Sequence, residues 1–409
     1  MSFLRALAFA ALALLLSACA SMSPAASGEP APVLLISIDS FRPDYLDRGV
    51  TPNLMRIARG GVRARWMNPS YPSLTFPNHY TLVTGLRPDH HGIVHNTMRD
   101  AELGEFRNSD EKAVREARWW GGEPVWVTAE KAGLRTATLF WPGSEAPIRG
   151  TWPSDWVKYD DEMPMAQRVS IVLGWLARPA QQRPRLITLY IGALDHTAHD
   201  FGPDSPETNA MLAEVDAAIG HLLHGLSAQG LRDRVNIVVV SDHGMAPVAY
   251  SHSLNVETLV DRNDATYLSV GEVVGFVPRA GHEAAAEAQL LGRHDHYECW
   301  RKGELPLRWH YGTHPRVPPI VCQMDVGFDA QTQHKLASRR PGGTRGSHGY
   351  DPADPTMRAL FIAQGPAFRQ GVGIAPFDNV DVYPLLAKLI GIEPKANDGE
   401  IAPLLPALK

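Results

Sequence analysis

Long hydrophobic runs, blocks of like charge and cysteines are all scarce in this sequence. The one extended apolar run covers residues 6–16, which is too short to span a bilayer in comfort. Charged residues make up 20% of the chain, with a formal net charge of −5 and no block of one sign, which argues against binding to a nucleic-acid backbone. The 409 residues are 44% hydrophobic, which is enough for one large α/β domain or two ordinary ones.

The N-terminus predicts export. Arg5 precedes the short apolar run, and small residues follow it up to Cys19. This order is typical of a secretory signal peptide, which we place at residues 1–18. The run Leu16-Ser-Ala-Cys19 also resembles the lipobox of bacterial lipoproteins, in which the cysteine is acylated after cleavage.

A lipid anchor at Cys19 would attach the mature chain to a membrane, and Ala20 suits an outer-membrane destination in a two-membrane bacterium. The alternative is an ordinary secretory signal and a periplasmic protein. Residues 19–32 are rich in Ser, Pro, Ala and Gly and predict a flexible tether.

Apart from Cys19, the sequence has two cysteines, Cys299 and Cys322. In an oxidising compartment two cysteines can pair, and we favour a disulfide over two separate buried thiols. Neither cysteine is given a catalytic role.

Short apolar runs alternate with helical patterns along most of the chain. Such runs, bounded by turn residues, predict strands buried on both faces, and strands alternating with helices predict an α/β fold around a mainly parallel sheet. The predicted strands are Val33–Ile38, Leu186–Ile191, Val235–Val240 and Ala359–Ala363, and the predicted helices are Thr51–Gly61, Ser205–Gly225 and Asn379–Ile390.

The stretch between Gly244 and Ser347 is richer in loops and has one strand-like pair around 266–277. It predicts a cap-like insertion, at about residues 250–345, within a catalytic domain that covers residues 33–400.

Three of the predicted strands lead to an aspartate. Asp39 follows the first strand, Asp195 follows the second after a short gap, and Asp242 follows the third. Ligands of open α/β sheets bind beyond the carboxyl ends of the strands, and three carboxylates at that edge would repel one another without a cation.

Histidines accompany these aspartates. His199 lies four residues after Asp195, His243 follows Asp242, and His348 lies in a glycine-flanked turn before the last strand. Mixed Asp/His ligation suits Zn²⁺, and two metal ions about 3.5–4 Å apart suit phosphoryl transfer. Four further histidines are interpreted as polar neighbours or surface residues: His196, His252, His294 and His296.

Thr75 is the predicted nucleophile. It lies where a loop enters a short helix, near unsatisfied N–H groups, and coordination to a metal would activate its hydroxyl. Thr75 as a simple N-cap is the alternative, and Ser70 and Ser73 are competing hydroxyls.

Several motifs together resemble one family. They are Asp39-Ser-Phe-Arg-Pro-Asp44, Thr51-Pro-Asn-Leu54, Pro72-Ser-Leu-Thr75-Phe-Pro-Asn-His79, Thr84-Gly-Leu-Arg-Pro-Asp-His-His-Gly92, Ser241-Asp-His-Gly-Met245 and Gly346-Ser-His-Gly-Tyr-Asp351. The pattern resembles bacterial nucleotide pyrophosphatases/phosphodiesterases of the alkaline phosphatase superfamily, over residues 33–390. The resemblance implies an alkaline-phosphatase-like three-layer sandwich with a central, mainly parallel sheet.

The resemblance also implies roles for residues. Thr75 would form a covalent phospho-threonine intermediate, and Asn96 would donate a hydrogen bond to a phosphoryl oxygen. Two Zn²⁺ ions would be held, one by Asp195, His199 and His348, the other by Asp39, Asp242, His243 and Thr75. An aromatic pocket for the nucleobase would be built from Phe76, Tyr159 and Tyr190. Ser40 departs from the pattern, which usually has glycine after the first aspartate.

The implied activity is hydrolysis of phosphodiester or phosphoanhydride bonds of nucleotides. Thr75-Phe-Pro-Asn78 lacks the Cys/Ser context of sulfatases, and no Lys-x-Arg pair of the threonine-dependent monoesterases occurs between Asn96 and Asp195. Phosphonoacetate hydrolase and a phosphate monoesterase remain the enzymatic alternatives. An inactive binding lipoprotein is the alternative from another class, although no ligand residue is missing.

Overall fold

The computed structural model describes residues 30–339 and 342–409. Residues 31–409 group into one compact unit. The predicted signal peptide, Cys19 and most of the predicted tether lie outside the described residues. Within the described part of the chain, none of the helices combines the length and the apolar character that a membrane crossing requires.

The structure alternates strands and helices over most of its length. The α-helices are α1 Pro52–Gly60, α2 Thr75–Thr84, α3 Pro88–His91, α4 Glu111–Val114, α5 Val125–Lys131, α6 Met165–Leu176, α7 Ala193–Phe201, α8 Pro206–Ala228, α9 Glu283–Leu290, α10 Gln333–Ala337 and α11 Val382–Ile390. The strands are β1 Val33–Ile38, β2 Val62–Ala64, β3 Met67–Asn68, β4 Thr97–Asp100, β5 Gly104–Arg107, β6 Thr136–Leu139, β7 Asp155–Val157, β8 Leu186–Ile191, β9 Asn236–Val240, β10 Ala246–Ala249, β11 Ser253–Asn255, β12 Ala265–Tyr267, β13 Val273–Pro278, β14 Gly292–His294, β15 Tyr297–Arg301, β16 Ile320–Met324, β17 Asp329–Gln331, β18 Thr344–Ser347, β19 Phe361–Gln364, β20 Val372–Ile374 and β21 Phe377–Asp378.

The central sheet has eight strands in the order β20-β2-β19-β9-β1-β8-β6-β7. All neighbouring pairs are parallel except those of β19, which runs antiparallel to both β9 and β2. β1 is an inner strand of the parallel part, because it pairs with β8 on one side and β9 on the other. The predicted α/β fold with a mainly parallel sheet is therefore confirmed, with β19 as the reversed strand.

Helices cover both faces of the sheet, which makes three layers. One hydrophobic core joins the sheet to α2, α5 and α11, and the other joins it to α1, α6 and α8. Every residue of β1 is buried, because an inner strand of such a sandwich has a core on either face. This explains why its sequence reads as a continuous apolar run.

The predicted elements agree with the structure except at their ends. β9 begins one residue later than predicted, β19 is shifted towards the C-terminus, and the last helix begins with a 3₁₀ turn over Asn379–Asp381. Hydrophobic patterns locate the middle of an element better than its hydrogen-bonded ends.

The chain between β9 and β19 forms a second, antiparallel sheet of five strands in the order β12-β13-β16-β15-β14. The predicted strand pair around 266–277 is its β12–β13 pair. Cys299 and Cys322 lie directly opposite each other on β15 and β16 and form a disulfide, so that prediction is confirmed. Residues 250–345 as a cap remain a prediction.

Candidate active site

Three aspartates meet at the carboxyl edge of the central sheet. Asp39 follows β1 directly, Asp242 lies just after β9, and Asp195 lies in the first turn of α7, shortly after β8. Because β1 pairs in parallel with β8 and with β9, these three strand ends are neighbours. All three side chains are buried. The sheet topology therefore brings together carboxylates that are far apart in the sequence.

Each of these aspartates has a carboxylate oxygen that accepts no hydrogen bond, although an imidazole nitrogen lies within 2.9–3.6 Å of it. Asp39 Oδ1, Asp195 Oδ1 and Asp242 Oδ2 are buried and accept no hydrogen bond from the described residues. Buried oxygens of this kind cost free energy unless a hydrogen-bond donor or a cation compensates them. The set of oxygens and adjacent imidazoles fits a cationic metal centre.

The electrostatics of the aspartates point the same way. Burial, together with the nearby carboxylates of Asp242 and Asp195, raises the pKa of Asp39 well above its ordinary value. Burial also opposes ionisation of Asp242, but His243 and His79 outweigh it and hold the pKa of Asp242 well below its usual range. A bound cation would stabilise the ionised form of all three carboxyl groups together.

Ser40 shows how the sequence departure from glycine is accommodated. It adopts the left-handed region with φ 59°, and its N–H lies 3.3 Å from Asp242 Oδ1. A non-glycine residue pays about 1 kcal/mol for this conformation. The local backbone keeps the glycine-like shape, and Asp39 and Asp242 stay adjacent.

Asp195, His199 and His348 form the first group able to hold a metal ion, with ligand atoms within 4.8 Å of one another. The Nδ1 atoms of the histidines face carbonyl oxygens, that of Gly346 at 3.0 Å from His199 and that of Ser73 at 2.9 Å from His348. Each Nδ1–H can therefore donate to a carbonyl while Nε2 keeps its lone pair for a metal. Burial lowers the pKa of His348 to about 3, which favours the neutral form that ligation needs.

The second group lies beside the first. Nε2 of His243 is 2.9 Å from Asp242 Oδ2 and 3.5 Å from Asp39 Oδ1. The imidazole of His243 stacks on that of His348 with ring centroids 3.6 Å apart. The six residues predicted as ligands thus converge on one site, and a further group of Asp39, Asp195 and His243 joins the two predicted sets.

His79 belongs to this place, although the sequence analysis gave it no role. Asp39, His79 and Asp242 form a further group whose ligand atoms lie within 4.8 Å. Its Nδ1 is 2.9 Å from the carbonyl oxygen of Thr75, one helical turn earlier, and 3.3 Å from Asp242 Oδ2. The spacing of His79 and Thr75 on α2 was the available signal. His196 instead pairs with Asp161 at 3.3 Å.

Thr75 is the first residue of α2, and Leu74 is the N-cap, so the interpretation of Thr75 as a simple N-cap is wrong. Its Oγ1 lies 3.3 Å from Nε2 of His243. The competing hydroxyls are engaged elsewhere, since Ser70 donates to Asn379 and Ser73 donates to the carbonyl of Tyr350. Of the three hydroxyls, that of Thr75 lines the cavity.

A cavity of about 660 Å³ opens above these groups. All four residues predicted to contact substrate line it: Phe76, Asn96, Tyr159 and Tyr190. Asn96 Oδ1 accepts the N–H of Phe76 at 3.0 Å, which leaves its amide N–H groups available to a ligand. The hydroxyl of Tyr190 donates to Asp39 Oδ2 at 2.7 Å, so this ring also supports a predicted ligand.

The cavity wall is poor in cations. Among the described lining residues Lys158 is the one lysine or arginine, and its Nζ lies 2.8 Å from Glu111 Oε2. The wall also carries Glu145 and Asp161. A phosphate monoester dianion would meet no unpaired lysine or arginine here, whereas a diester needs less positive charge.

Comparison with known proteins identifies similar chains. The family described as type I phosphodiesterase / nucleotide pyrophosphatase matches residues 33–351. An uncharacterized pyrophosphatase/phosphodiesterase of Schizosaccharomyces pombe is 35% identical over 91% of this chain and 80% of that protein. The human ectonucleotide pyrophosphatase/phosphodiesterase family member 7 is 34% identical over 97% of this chain and 88% of its own length. A venom phosphodiesterase of Crotalus durissus collilineatus is 34% identical, and this chain covers 47% of its length.

Solved structures agree. Mouse ectonucleotide pyrophosphatase/phosphodiesterase 5, as an inactive threonine-to-alanine variant in complex with AMP, is 31% identical, with a TM-score of 0.87 over 93% of this chain and all of that one. The human counterpart is 29% identical with the same TM-score over 92% of this chain and all of its own. These relatives are eukaryotic, so the bacterial origin remains a prediction.

Proposed function

The chain belongs to the type I phosphodiesterase / nucleotide pyrophosphatase family, and we propose that it hydrolyses phosphodiester or phosphoanhydride bonds of nucleotides through Thr75 and two zinc ions. Members of this family are hydrolases, and so is this chain. One observation carries the finer proposal. Thr75 lines the cavity together with Asp39 and Asp195, and its Oγ1 lies 3.3 Å from Nε2 of His243, in a site where three buried carboxylate oxygens accept no hydrogen bond.

We infer that these residues would divide between two metal ions. Asp195, His199 and His348 would hold one ion. Asp39, Asp242 and His243 would hold the other, with Thr75 completing it. Bound zinc would lower the pKa of the threonine hydroxyl and neutralise charge that develops on the phosphoryl group.

The protein residues then have distinct tasks. Thr75 Oγ attacks phosphorus while the bond to the leaving oxygen breaks, which gives a phospho-threonine. Water attacks the same phosphorus in the second half, the bond to Thr75 breaks, and the threonine regains its proton. Asn96 donates an amide hydrogen bond to a non-bridging oxygen, where charge increases in the transition state.

The cavity and a relative both favour a nucleotide as the substrate. Phe76 and Tyr159 line the cavity, and rings in such positions can stack on a nucleobase. The similar mouse protein is in complex with AMP, in a variant that has lost a threonine and is inactive. A phosphate monoesterase and a phosphonoacetate hydrolase are the enzymatic alternatives. An inactive binding lipoprotein is the non-enzymatic alternative.

Export is part of the proposal. We infer a signal peptide at residues 1–18, a tether at 19–32 anchored through Cys19, and a catalytic domain at 33–400 with a cap-like insertion at about 250–345. A disulfide in the inserted sheet suits an oxidising compartment such as the periplasm. Metabolic labelling with a fatty acid distinguishes the anchored from the periplasmic form, since Cys19→Ser would remove the label only from a lipoprotein.

The central experiment compares hydrolysis of bis-p-nitrophenyl phosphate and p-nitrophenyl phosphate by the wild type and by Thr75→Ala, with and without a chelator. We expect a strong preference for the diester and a loss of at least about 10³-fold on removal of Thr75 or the metal. Ser73→Ala is the matched control, because this neighbouring hydroxyl does not face the cavity, and it should keep most of the activity.

Other outcomes identify the alternatives. A preference for the monoester would make the enzyme a phosphatase. Zinc bound at two equivalents without activity on either ester would favour a phosphonate substrate or a binding protein, which hydrolysis of phosphonoacetate would separate. Absence of bound metal in the purified and zinc-treated protein would refute the mechanism.

A further inference from the structure

Arg168 is a buried arginine that hydrogen-bonds the backbone of segments lining the cavity. Arg168 lies in the first turn of α6 and is only 4% exposed, so its guanidinium has been removed from water. A buried charge of this kind must be hydrogen-bonded to be tolerated. Arg168 could not be assigned a role from the sequence, because a single arginine in a helical pattern does not indicate which distant residues it will contact.

The partners of Arg168 are backbone carbonyl oxygens of two separate segments. Nε donates to Met163 at 2.9 Å, and Nη1 donates to Tyr190, at the end of β8, at 3.3 Å. Nη2 donates to Asp161 at 2.9 Å and to Asp160 at 3.4 Å. The planar fork of arginine therefore ties the loop between β7 and α6 to the end of β8, which the single ammonium of lysine could not reproduce.

The guanidinium also contacts a strained residue. Its Cζ lies 4.9 Å from the ring centroid of Phe140, which has a positive φ of 66°. A phenylalanine keeps such a backbone conformation only where its surroundings enforce it. The ring of Phe140 in turn meets that of Tyr159 with centroids 5.3 Å apart.

Every segment that Arg168 holds contributes to the cavity. Phe140, Tyr159, Asp161 and Tyr190 all line it. Tyr159 is 41% exposed and belongs to the loop whose carbonyls Arg168 binds. Its hydroxyl donates to Asp161 Oδ1 at 2.9 Å, and Arg168 in turn binds the backbone carbonyl of Asp161. Arg168 thus holds the backbone from which this aromatic wall extends.

We propose that Arg168 is a positioning residue that sets the selectivity of the site for the nucleoside part of its substrate. This inference rests on the proposed nucleotide hydrolysis. Arg168 acts through Tyr159 and Phe140 and does not touch the reacting atoms. Without its donors the buried carbonyls lose their partners, the loop shifts, and the stacking surface for a base is lost. Stacking of one base on an aromatic side chain corresponds to about 10- to 100-fold in affinity.

The test uses two diesters with the same leaving group on the zinc-loaded enzyme. One is the p-nitrophenyl ester of thymidine 5′-phosphate, and the other is methyl p-nitrophenyl phosphate, which has no base to stack. The ratio of their kcat/KM values measures the contribution of the nucleoside. For Arg168→Met we expect this ratio to fall at least tenfold, through KM of the thymidylyl ester, while kcat/KM for the methyl ester stays within threefold. Arg168→Lys keeps the positive charge but not the planar set of donors, and its ratio of kcat/KM values should lie between those of the wild type and Arg168→Met.

The matched control is Arg178→Met, just beyond the other end of α6, where Arg178 pairs with Asp155. It should keep the wild-type ratio. An unchanged ratio in Arg168→Met, or an equal loss on both esters, would overturn the role of Arg168. Retained methyl-ester hydrolysis shows that the variant is folded and metal-loaded. A wild type without preference for the thymidylyl ester would instead refute the nucleotide part of the proposed function.

Discussion

Asp381 shows that burial also shifts the protonation of a carboxyl group that does not line the cavity. It is the N-cap of α11, it is buried, and Oδ1 accepts the N–H of Glu400 at 2.8 Å. Burial raises the pKa of Asp381 to about 6. The folded protein therefore binds a proton there at a pH at which the unfolded chain, with a pKa of about 3.9, has released it.

The sign of the pH dependence follows from this difference. The contribution of Asp381 to the free energy of unfolding, which comes from its raised pKa in the folded state, is present in full below about pH 3.9. It is lost as the pH rises through about 6. Asp381→Asn keeps an acceptor for Glu400 and removes the titration. We expect the variant to gain, relative to the wild type, about 2–3 kcal/mol in the free energy of unfolding between pH 4 and pH 8, measured in urea. Glu393→Gln, an exposed site near the end of the same helix, is the control, and equal behaviour of the two variants would contradict the assignment.

At the scale of elements, the start of α1 depends on a residue of another helix. Thr51 is the N-cap but makes no side-chain capping bond. The carboxylate of Asp216 on α8 instead accepts the N–H of Leu54 at 2.8 Å and that of Asn53 at 3.0 Å. The first N–H groups of α1 are thus satisfied by a tertiary contact in place of a local cap.

This contact predicts that Asp216 contributes to the stability of the fold and takes no part in catalysis. Asp216→Ala leaves two helix N–H groups without their buried acceptor and should lower the free energy of unfolding by about 2–3 kcal/mol. Asp216→Asn keeps one acceptor oxygen and should lose about half as much. Urea unfolding monitored by circular dichroism measures both, with the exposed Glu214→Ala on the same helix as control. A loss below 0.5 kcal/mol or so for Asp216→Ala would show that water replaces the carboxylate.

At the scale of the whole molecule, the inserted five-stranded sheet contacts the end of β18 next to His348. Glu272, which precedes β13, accepts a hydrogen bond from the hydroxyl of Ser347 next to that histidine. Burial and the carboxylate of Asp329 raise the pKa of Glu272 to about 7. The inserted region is therefore packed against the segment that carries a predicted metal ligand.

The disulfide within that sheet gives a prediction about the whole fold. Cys299 and Cys322 are 23 residues apart, and cross-linking a loop of this length stabilises a protein by about 3 kcal/mol through the unfolded chain. Replacing both cysteines by alanine in the mature chain should lower Tm by several degrees. Diester hydrolysis at 25 °C should remain, since neither residue lines the cavity. Loss of activity in a variant that stays folded would mean that the inserted sheet shapes the site directly.

Local patterns in the sequence were sufficient to predict the buried strands and the acidic residues at their ends. The apolar runs at 33–38 and 186–191 coincide with β1 and β8, since strands buried on both faces need hydrophobic residues throughout. Asp39, Asp195 and Asp242 were assigned to one site because each lies just beyond a strand whose carboxyl end meets the others at one sheet edge. Likeness of motifs then pointed to the family and to Thr75.

The contacts between segments that are far apart in sequence became visible in the folded structure alone. It excluded Thr75 as an N-cap, added His79 to the metal-binding place, reversed β19 in the sheet, and put Arg168 behind the aromatic wall. Apart from the spacing of His79 and Thr75 on α2, none of these features leaves a local pattern, because a hydrogen bond between distant segments imposes no spacing on the sequence around it. The strand composition specifies that a residue is buried, and the packing of the folded chain specifies which partner it meets there.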